Sequence, residues 1–359
     1  MALQRIGLVC SILLAGSLVA PGTASACGWD NETYYAEGDK LPCVTDALLG
    51  FVAEHTPEYY EARIAAMDEA LAVVPSWLEG LDNKGIALLH LGRLDEAEVV
   101  MKRRHELTPE AYAGHANLGT LYTFMGRLDE AEKHIRAAMA IEPDAHFGRE
   151  KVHLDFVVHL RAVAGDESLA GRNFMGLELS QSERLEPKRG ALEAAGVGPR
   201  DLDALVAMLT IYGARDNPDI LYAMGDILVL RGMTRLAWTA YRRARAEGHP
   251  NVRELVLLEK ALSGQLEAEW ERENPEKVDS EEGYGPLGGG VYRRRRSMSA
   301  EFRQEYQAWE REQLAQGLAV WTREGLERIY AEIDERRPRC KTVPVPKSDK
   351  AAKPEEKDP

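Results

Sequence analysis

The sequence predicts an all-α chain built as a solenoid of helical hairpins, with an irregular insertion and a long amphipathic helix near its C-terminal end. Three observations carry that prediction. Aromatic residues make up only 7% of the 359 residues while Ala, Leu and Glu are plentiful, a balance that favours helices over sheets. The string Gly-Arg-Leu-Asp-Glu-Ala-Glu occurs verbatim at 92–98 and again at 126–132. Apolar side chains from Phe302 to Ile333 recur at helical spacing.

The two identical strings belong to longer segments, Gly85–Pro109 and Gly119–Pro143, that superpose at a spacing of 34 residues. Each shared position has a physical job. Gly85 and Gly119 let the first helix of a hairpin approach its partner closely. Gly92 and Gly126 end that helix, where a left-handed residue is needed. Asp95 and Asp129 sit at the start of the second helix, whose positive end favours acids. Ala97 and Ala131 are small because two helices cross there. Pro109 and Pro143 stop the second helix and turn the chain into the next unit.

This pattern resembles the tetratricopeptide repeat, a helix-turn-helix unit of about 34 residues, with copies at about 78–111 and 112–145. The Trp usual near the start of the first helix is replaced by Leu81 and His115. The resemblance implies stacked antiparallel hairpins whose first helices line a concave, protein-binding face.

Further copies are weaker. Met67, Ala70 and Pro75 lie 34 residues before Met101, Arg104 and Pro109, which marks a degenerate capping repeat at about 44–77, with helices at Val44–Glu54 and Pro57–Val74. Downstream, Gly225, Gly232, Ala237, Ala244 and Pro250 repeat the glycine and alanine marks in a unit at about 218–251. Its offset from the second copy, 106 residues, is not a multiple of 34, so something irregular intervenes.

The remaining elements follow from breaks in the periodicity. Ala145–Ala164 continues the solenoid, which spans 44–160, as a helix burying Phe147, Val152, Phe156, Val157 and Leu160. Residues 161–200, rich in Gly, Ser and charge, read as an insertion or long loop. A second helical segment, 201–273, holds helices at Asp201–Tyr212 and Asn251–Glu273, the latter packing Val256, Leu257 and Leu262. Asn274-Pro275 opens a linker over 274–297 that carries five glycines and the run Arg293–Arg296. The amphipathic helix spans 298–337, with Gly317 and Gly325 as points where it bends or splits. The tail, 338–359, is expected to be disordered.

The N-terminus reads as a targeting segment. Arg5 precedes an apolar run from Ile6 to Ala20, Pro21 breaks it, and Ala24-Ser25-Ala26 supplies a small-x-small cleavage site. That run is shorter than the roughly 20 apolar residues needed to span a bilayer. Residues 1–26 are therefore expected to be a cleaved signal peptide, and the protein to be exported to a periplasmic or extracellular space. An arm of 27–43 follows. Export places Cys27, Cys43 and Cys340 in an oxidising compartment. Cys27–Cys43 is the short-range pair. If Cys27 is instead lipidated, which would associate the protein with a membrane, Cys43 and Cys340 become the candidates. Against lipidation, Ala24 stands where such signals usually have Leu. Cys27-Gly-Trp-Asp30, Tyr59-Tyr60-Glu61-Ala-Arg63 and His146-Phe-Gly-Arg-Glu150 together resemble landmarks of a group of exported bacterial repeat proteins without an established activity.

The formal net charge of −14 repels phosphate backbones and argues against nucleic acid as a partner. No catalytic, metal or cofactor motif stands out: there is no HExxH, CxxC or GxSxG, and the glycines at 283–290 lack the Lys-Ser/Thr of a phosphate loop. His146 and His153, seven apart, read as a packing or surface pair. Arg293–Arg296 reads as a solvated flank neutralised by Glu281 and Glu282.

The functional candidate is the groove. Helical spacing from the glycine marks turns Asp82, Ile86 and Leu89 inward in the first repeat, Ala116, Thr120 and Thr123 in the second, and Tyr222, Asp226 and Val229 in the third, with His90 and Phe124 at the rim. The Lys, Arg and Asn residues with which the family grips acidic C-terminal tails are absent from those positions. The reading that follows is a non-catalytic scaffold holding a protein or peptide segment on a groove built from Asp82, Ile86, His90, Thr120, Phe124, Tyr222 and Asp226. The alternatives are a structural protein whose C-terminal helix fills its own groove or a dimer interface, and a hydrolase with its site in the insertion. The oligomeric state is not fixed by the sequence.

Overall fold

The computed structural model describes residues 29–143, 145–186, 190–194, 196–198, 200–210, 213–273 and 289–337. The expected signal peptide, Cys27, most of the linker and the tail lie outside these residues. The described residues form α-helices and short 3-10 turns, with no strand among them.

A short arm helix, α1 (Asn31–Asp39), leads into α2 (Val44–Leu49) and α3 (Pro57–Val73), which do not pair as the expected capping hairpin: α2 stops five residues short of Glu54 and packs on the later helices of the chain, while α3 packs on the next helix. Two regular hairpins follow, α4 (Leu78–His90) with α5 (Leu94–Leu107), and α6 (Tyr112–Phe124) with α7 (Leu128–Ile141). Next come α8 (Arg149–Gly165), two short helices α9 (Gln181–Leu185) and α10 (Ala191–Ala194), and α11 (Asp201–Thr210). A third regular hairpin pairs α12 (Pro218–Leu230) with α13 (Thr234–Ala246), and α14 (Val252–Glu273) packs beside it. The last described elements are α15 (Gly289–Ala315) and α16 (Arg323–Arg336). From α3 to α8 each helix packs on the next, as stacked hairpins must.

The repeat marks do what their chemistry requires. All three regular hairpins turn through the same cap, a left-handed glycine with φ near 70° at Gly92, Gly126 and Gly232. In each the following residue reaches back to the carbonyl five positions earlier: Arg93 to Leu88, Arg127 to Tyr122, Met233 to Leu228. Sixteen residues after Gly85, Gly119 and Gly225 stand Met101, Ile135 and Tyr241, and each presses on the bare Cα of its glycine. A Cβ at Gly225 would lie 2.3 Å from the Tyr241 ring. Ala97, Ala131 and Ala237 occupy the helix crossings and are fully buried.

The two stacks meet through α2. Arg243 of α13 is completely buried and donates to the carbonyls of Ala47 at 2.7 Å and Leu48 at 3.1 Å. It thereby joins the Gly50 amide on the Ala47 carbonyl and supplies a donor to the Leu48 carbonyl at the end of a short helix. The core beneath this contact is continuous from Ala47 and Leu48 through α11–α14.

Several elements differ from expectation. The helix expected over Ala145–Ala164 is split, because Gly148 at φ 77° separates a 3-10 turn, Ala145–Gly148, from α8. The helix at 252–273 buries Leu255, Leu258, Leu262 and Leu266 rather than Val256 and Leu257, which are nearly half exposed. The true stripe runs i, i+3, i+7, i+11. The described part of 161–200 is packed rather than a loose loop: Phe174, Met175, Leu177 and Val197 enter the core of the third hairpin. The C-terminal helix is a hairpin, broken where Gly317 turns left-handed and Thr322 caps α16 by accepting from the Gly325 amide. Its first helix begins earlier than expected, at Gly289, so Arg293–Arg296 are helical. Arg293–Arg295 are exposed, while Arg296 binds Glu247 at 3.0 Å; Glu281 and Glu282, its expected counter-ions, lie outside the described residues.

Candidate functional site: the closed concave face

The helices α4 and α6 carry asparagine at equivalent places, Asn83 and Asn117, 34 residues apart. Both are buried. Their amides hold the backbone of the chain's own N-terminal arm. The Trp29 amide donates to Asn117 Oδ1 at 2.6 Å, and Asn117 Nδ2 donates back to the Trp29 carbonyl at 3.1 Å. The Asn31 amide donates to Asn83 Oδ1 at 3.3 Å. A carboxamide that both donates to and accepts from one residue's backbone pairs with a peptide much as a neighbouring strand does.

A charged layer fixes these amides. Arg104 Nε donates to both oxygens of Asp82 at 3.0 Å, and Asn117 Nδ2 donates to the same carboxylate at 2.8 Å. Burial pushes the Asp82 carboxyl up to about 6 despite that support. Arg63, 1% exposed, binds Asp30 at 2.8 Å, Glu32 at 3.2 Å and Asn83 Oδ1. Asp30 also caps α1 by accepting from the Thr33 amide at 2.8 Å. At the other end of α1, Glu37 binds Arg149 and His146. The Trp29 ring stands edge-on to Tyr112 and His146, with centroids 5.6 and 4.4 Å away. The arm is thus held by its backbone, one aromatic ring and three carboxylates.

A second cluster latches the C-terminal hairpin over the arm. His55, between α2 and α3, lies 2.5 Å from Glu32 of α1 through Nε2 and 2.5 Å from Glu310 of α15 through Nδ1. Glu310 also accepts from the Thr56 amide at 2.7 Å and the Tyr306 hydroxyl at 2.8 Å. Burial alone would push the His55 imidazole down, but the two carboxylates outweigh it and raise it to about 10. Burial likewise opposes ionisation of Glu32, yet His55 and Arg63 pull it down to about 2. An imidazolium between two carboxylates therefore joins three distant parts of the chain.

The expected groove residues fall in three places. Asp82, Ile86 and Thr120 are buried under the arm's side of the array, Asp82 in the charged layer and Ile86 in the core. Tyr222 and Asp226 are buried under the segment 173–184: Arg184 donates to Asp226 at 2.6 Å and to the Tyr222 hydroxyl at 2.7 Å, and Asn173 donates to Asp226 at 2.8 Å. His90 and Phe124 are half-buried, His90 stacked on Tyr60 with centroids 4.7 Å apart. These seven therefore do not line one open channel; segments of the same chain cover the concave positions of both stacks. The sequence reading missed Asn83 and Asn117, and their recurrence at the repeat spacing was the available signal. Cys43 is disulfide-bonded, while the expected partner, Cys27, lies outside the described residues. His146 and His153 do not act together, since His146 pairs with Glu37 and His153 with the Thr123 hydroxyl at 3.1 Å.

Among the described residues no group of three or more His, Cys, Asp or Glu side chains is arranged to hold a metal ion, and no helix is long and apolar enough to cross a membrane. Residues 112–145, which are α6, α7 and their flanks, match the family described as tetratricopeptide repeat. No curated protein matches the chain.

Proposed function

We propose that this tetratricopeptide-repeat protein is an exported, non-catalytic scaffold that holds an extended segment of another protein or a peptide on the concave face of α4 and α6. Its repeat supports a general role in protein interaction. The observation that carries the finer reading is the Asn83–Asn117 pair, which binds a polypeptide backbone without regard to side chain and is mounted at the repeat spacing. The arm 29–39 then marks the kind of segment that fits: an aromatic residue for the Tyr112–His146 box followed by carboxylates for Arg63 and Arg149. An external segment must compete with a tethered one, whose effective concentration is of millimolar order for a short tether. Binding is therefore expected to be weak until the arm is loosened.

The test uses the full chain carrying Trp29→Ala and a labelled peptide copying residues 29–39. Saturable binding by fluorescence anisotropy is expected, and adding Asn117→Ala should remove it. Absence of saturable binding to the Trp29→Ala chain would count against the reading. Export is supported by the composition of residues 1–26, and N-terminal sequencing of the protein recovered from the cell envelope or medium tests it.

A second reading, a self-contained structural assembly, is favoured by one observation: Phe302, Tyr306 and Glu310 of α15 are buried against α2, α3 and the arm. The same binding experiment separates the two, since a purely structural arm has no exchangeable site beneath it.

A further inference from the structure

Beside the His55 cluster, bounded by α1, the α2–α3 connection, α3, α4, α11, α15 and α16, lies a cavity of about 240 Å³. Four of its polar groups are spent. The carboxylates of Asp30 and Glu32 are held by Arg63 and His55, and that of Glu54 by Arg215. His55 is consumed in turn by Glu32 and Glu310.

Arg337 is different. Its side chain is 13% exposed, yet its nearest carboxylate oxygen, on Asp334, is 4.0 Å away. Asp334 already binds Lys40 at 3.2 Å. Arg337 Nε is buried with no hydrogen-bond partner. A guanidinium taken this far out of water normally has its fork filled by a carboxylate or phosphate. Asp46 and the Tyr330 phenol also face Arg337 electrostatically, without bonding to it. Two further polar groups on the cavity wall, the Tyr60 hydroxyl and the His90 imidazole, have no hydrogen-bond partner among the described residues. Burial keeps His90 neutral. The rest of the wall mixes apolar side chains, among them Val52, Leu209 and Ile333, with polar ones that already have partners: Lys40 is held by Asp334, Arg215 by Glu54, and Gln307 by the Glu54 carbonyl.

We propose that this cavity binds a small monocarboxylic acid, its carboxylate taken by Arg337 and its body lying against Tyr60, His90 and Tyr330. Size follows from volume: a cavity of about 150 Å³ accepts benzene, so this one takes about ten non-hydrogen atoms. The single charge follows from the balance of the wall: Arg337 compensates one negative charge, while the second charge of a dianion would stand unpaired beside the carboxylates of Asp30, Glu32 and Glu54. The planar fork of Arg337 suits a carboxylate held by two parallel hydrogen bonds. The site takes a free small molecule and does not depend on the proposed peptide clasp.

The probe is benzoate, titrated calorimetrically into the full-length protein, with benzyl alcohol, benzylamine and phenyl phosphate as matched rings of different charge. Benzoate should bind saturably at one site, and each of the other three at least about tenfold more weakly. Arg337→Gln should weaken benzoate by about tenfold to a hundredfold at unchanged helicity. Should that variant fail to fold, Tyr60→Phe removes one hydroxyl at constant shape and should weaken benzoate in the same direction. Three results would overturn the proposal: no saturable heat with benzoate, benzyl alcohol binding as well as benzoate, or a folded Arg337→Gln chain binding benzoate as tightly as the unaltered protein.

Discussion

Replacing Arg63 with Met tests whether the arm is truly seated on the concave face. The two side chains are of similar length, so packing along the stem is largely kept while the charge is removed. Arg63 is 1% exposed and is the cation that faces Asp30, itself 2% exposed, as well as Glu32. Removing one member of a buried ion pair strands the other, which typically costs about 3–5 kcal/mol. Asp30 also caps α1, so the loss is concentrated on the arm. For a chain of this size each kcal/mol moves the melting temperature by about 2–4 °C, so the expected fall is on the order of 10 °C. Circular dichroism at 222 nm reads the melt, and amide hydrogen exchange at Trp29 reads the arm directly. Adding Asp30→Asn should recover part of the loss, because the stranded charge is gone and only its hydrogen bonds are missing; the double-mutant cycle isolates that coupling. An Arg63→Met protein within about 0.5 kcal/mol of the parent, with the Trp29 amide still protected, would refute the reasoning.

Three further predictions follow from other contacts. His55 titrates above its usual range, so its contribution to stability is complete below about pH 6.5 and drains away as pH rises towards 10; Glu32, lowered to about 2, contributes fully above about 4.5 and loses that contribution as pH falls towards 2. NMR of the imidazole nitrogens should find His55 ionised at pH 8 and His153, pushed down to about 3 by burial, neutral at pH 5; a neutral His55 at pH 8 would contradict the latch. Gly225→Ala drives a methyl into the Tyr241 ring and should destabilise by about 1–3 kcal/mol in urea melts, and a neutral effect would mean that α12 and α13 are not in the described register. Deleting 298–359 removes the buried Phe302, Tyr306, Ile329 and Ile333 and should lower the melting temperature sharply while light scattering still reports a single species; an unchanged melt would show that the C-terminal hairpin lies outside the cooperative unit.

How much of this was legible beforehand depends on the range of each interaction. The hairpins were, because Gly85, Gly92 and Ala97 act on neighbours within one repeat and recur at a fixed period. The capping glycines and crossing alanines of the third hairpin were legible for the same reason, despite its irregular offset. The covering of the concave face was not. Trp29 meets Asn117 across 88 residues and His55 meets Glu310 across 255, and no local pattern encodes such pairings. Polar residues misled twice: Asp82 and Asp226 look like groove ligands in the sequence, yet they are buried acceptors for Arg104 and Arg184. The segment 161–200 looks like loop by composition, yet Phe174, Met175, Leu177 and Arg184 dock its described stretch 173–184.

The imidazolium bridge between Glu32 and Glu310 also sets an order of events. Chains are made from the N-terminus, and domains tend to fold as they emerge. The stacked hairpins are local and can form early, but the residue that clamps the arm from the far side arrives more than 250 positions after His55. During that interval Glu32 has His55, Arg63 and Tyr59, but His55 lacks its second carboxylate, and contacts of such long separation form slowly. A nascent or C-terminally clipped chain would therefore present finished repeats with the arm held from the repeat side alone, by Asn83, Asn117 and Arg63 and without the Glu310 clamp.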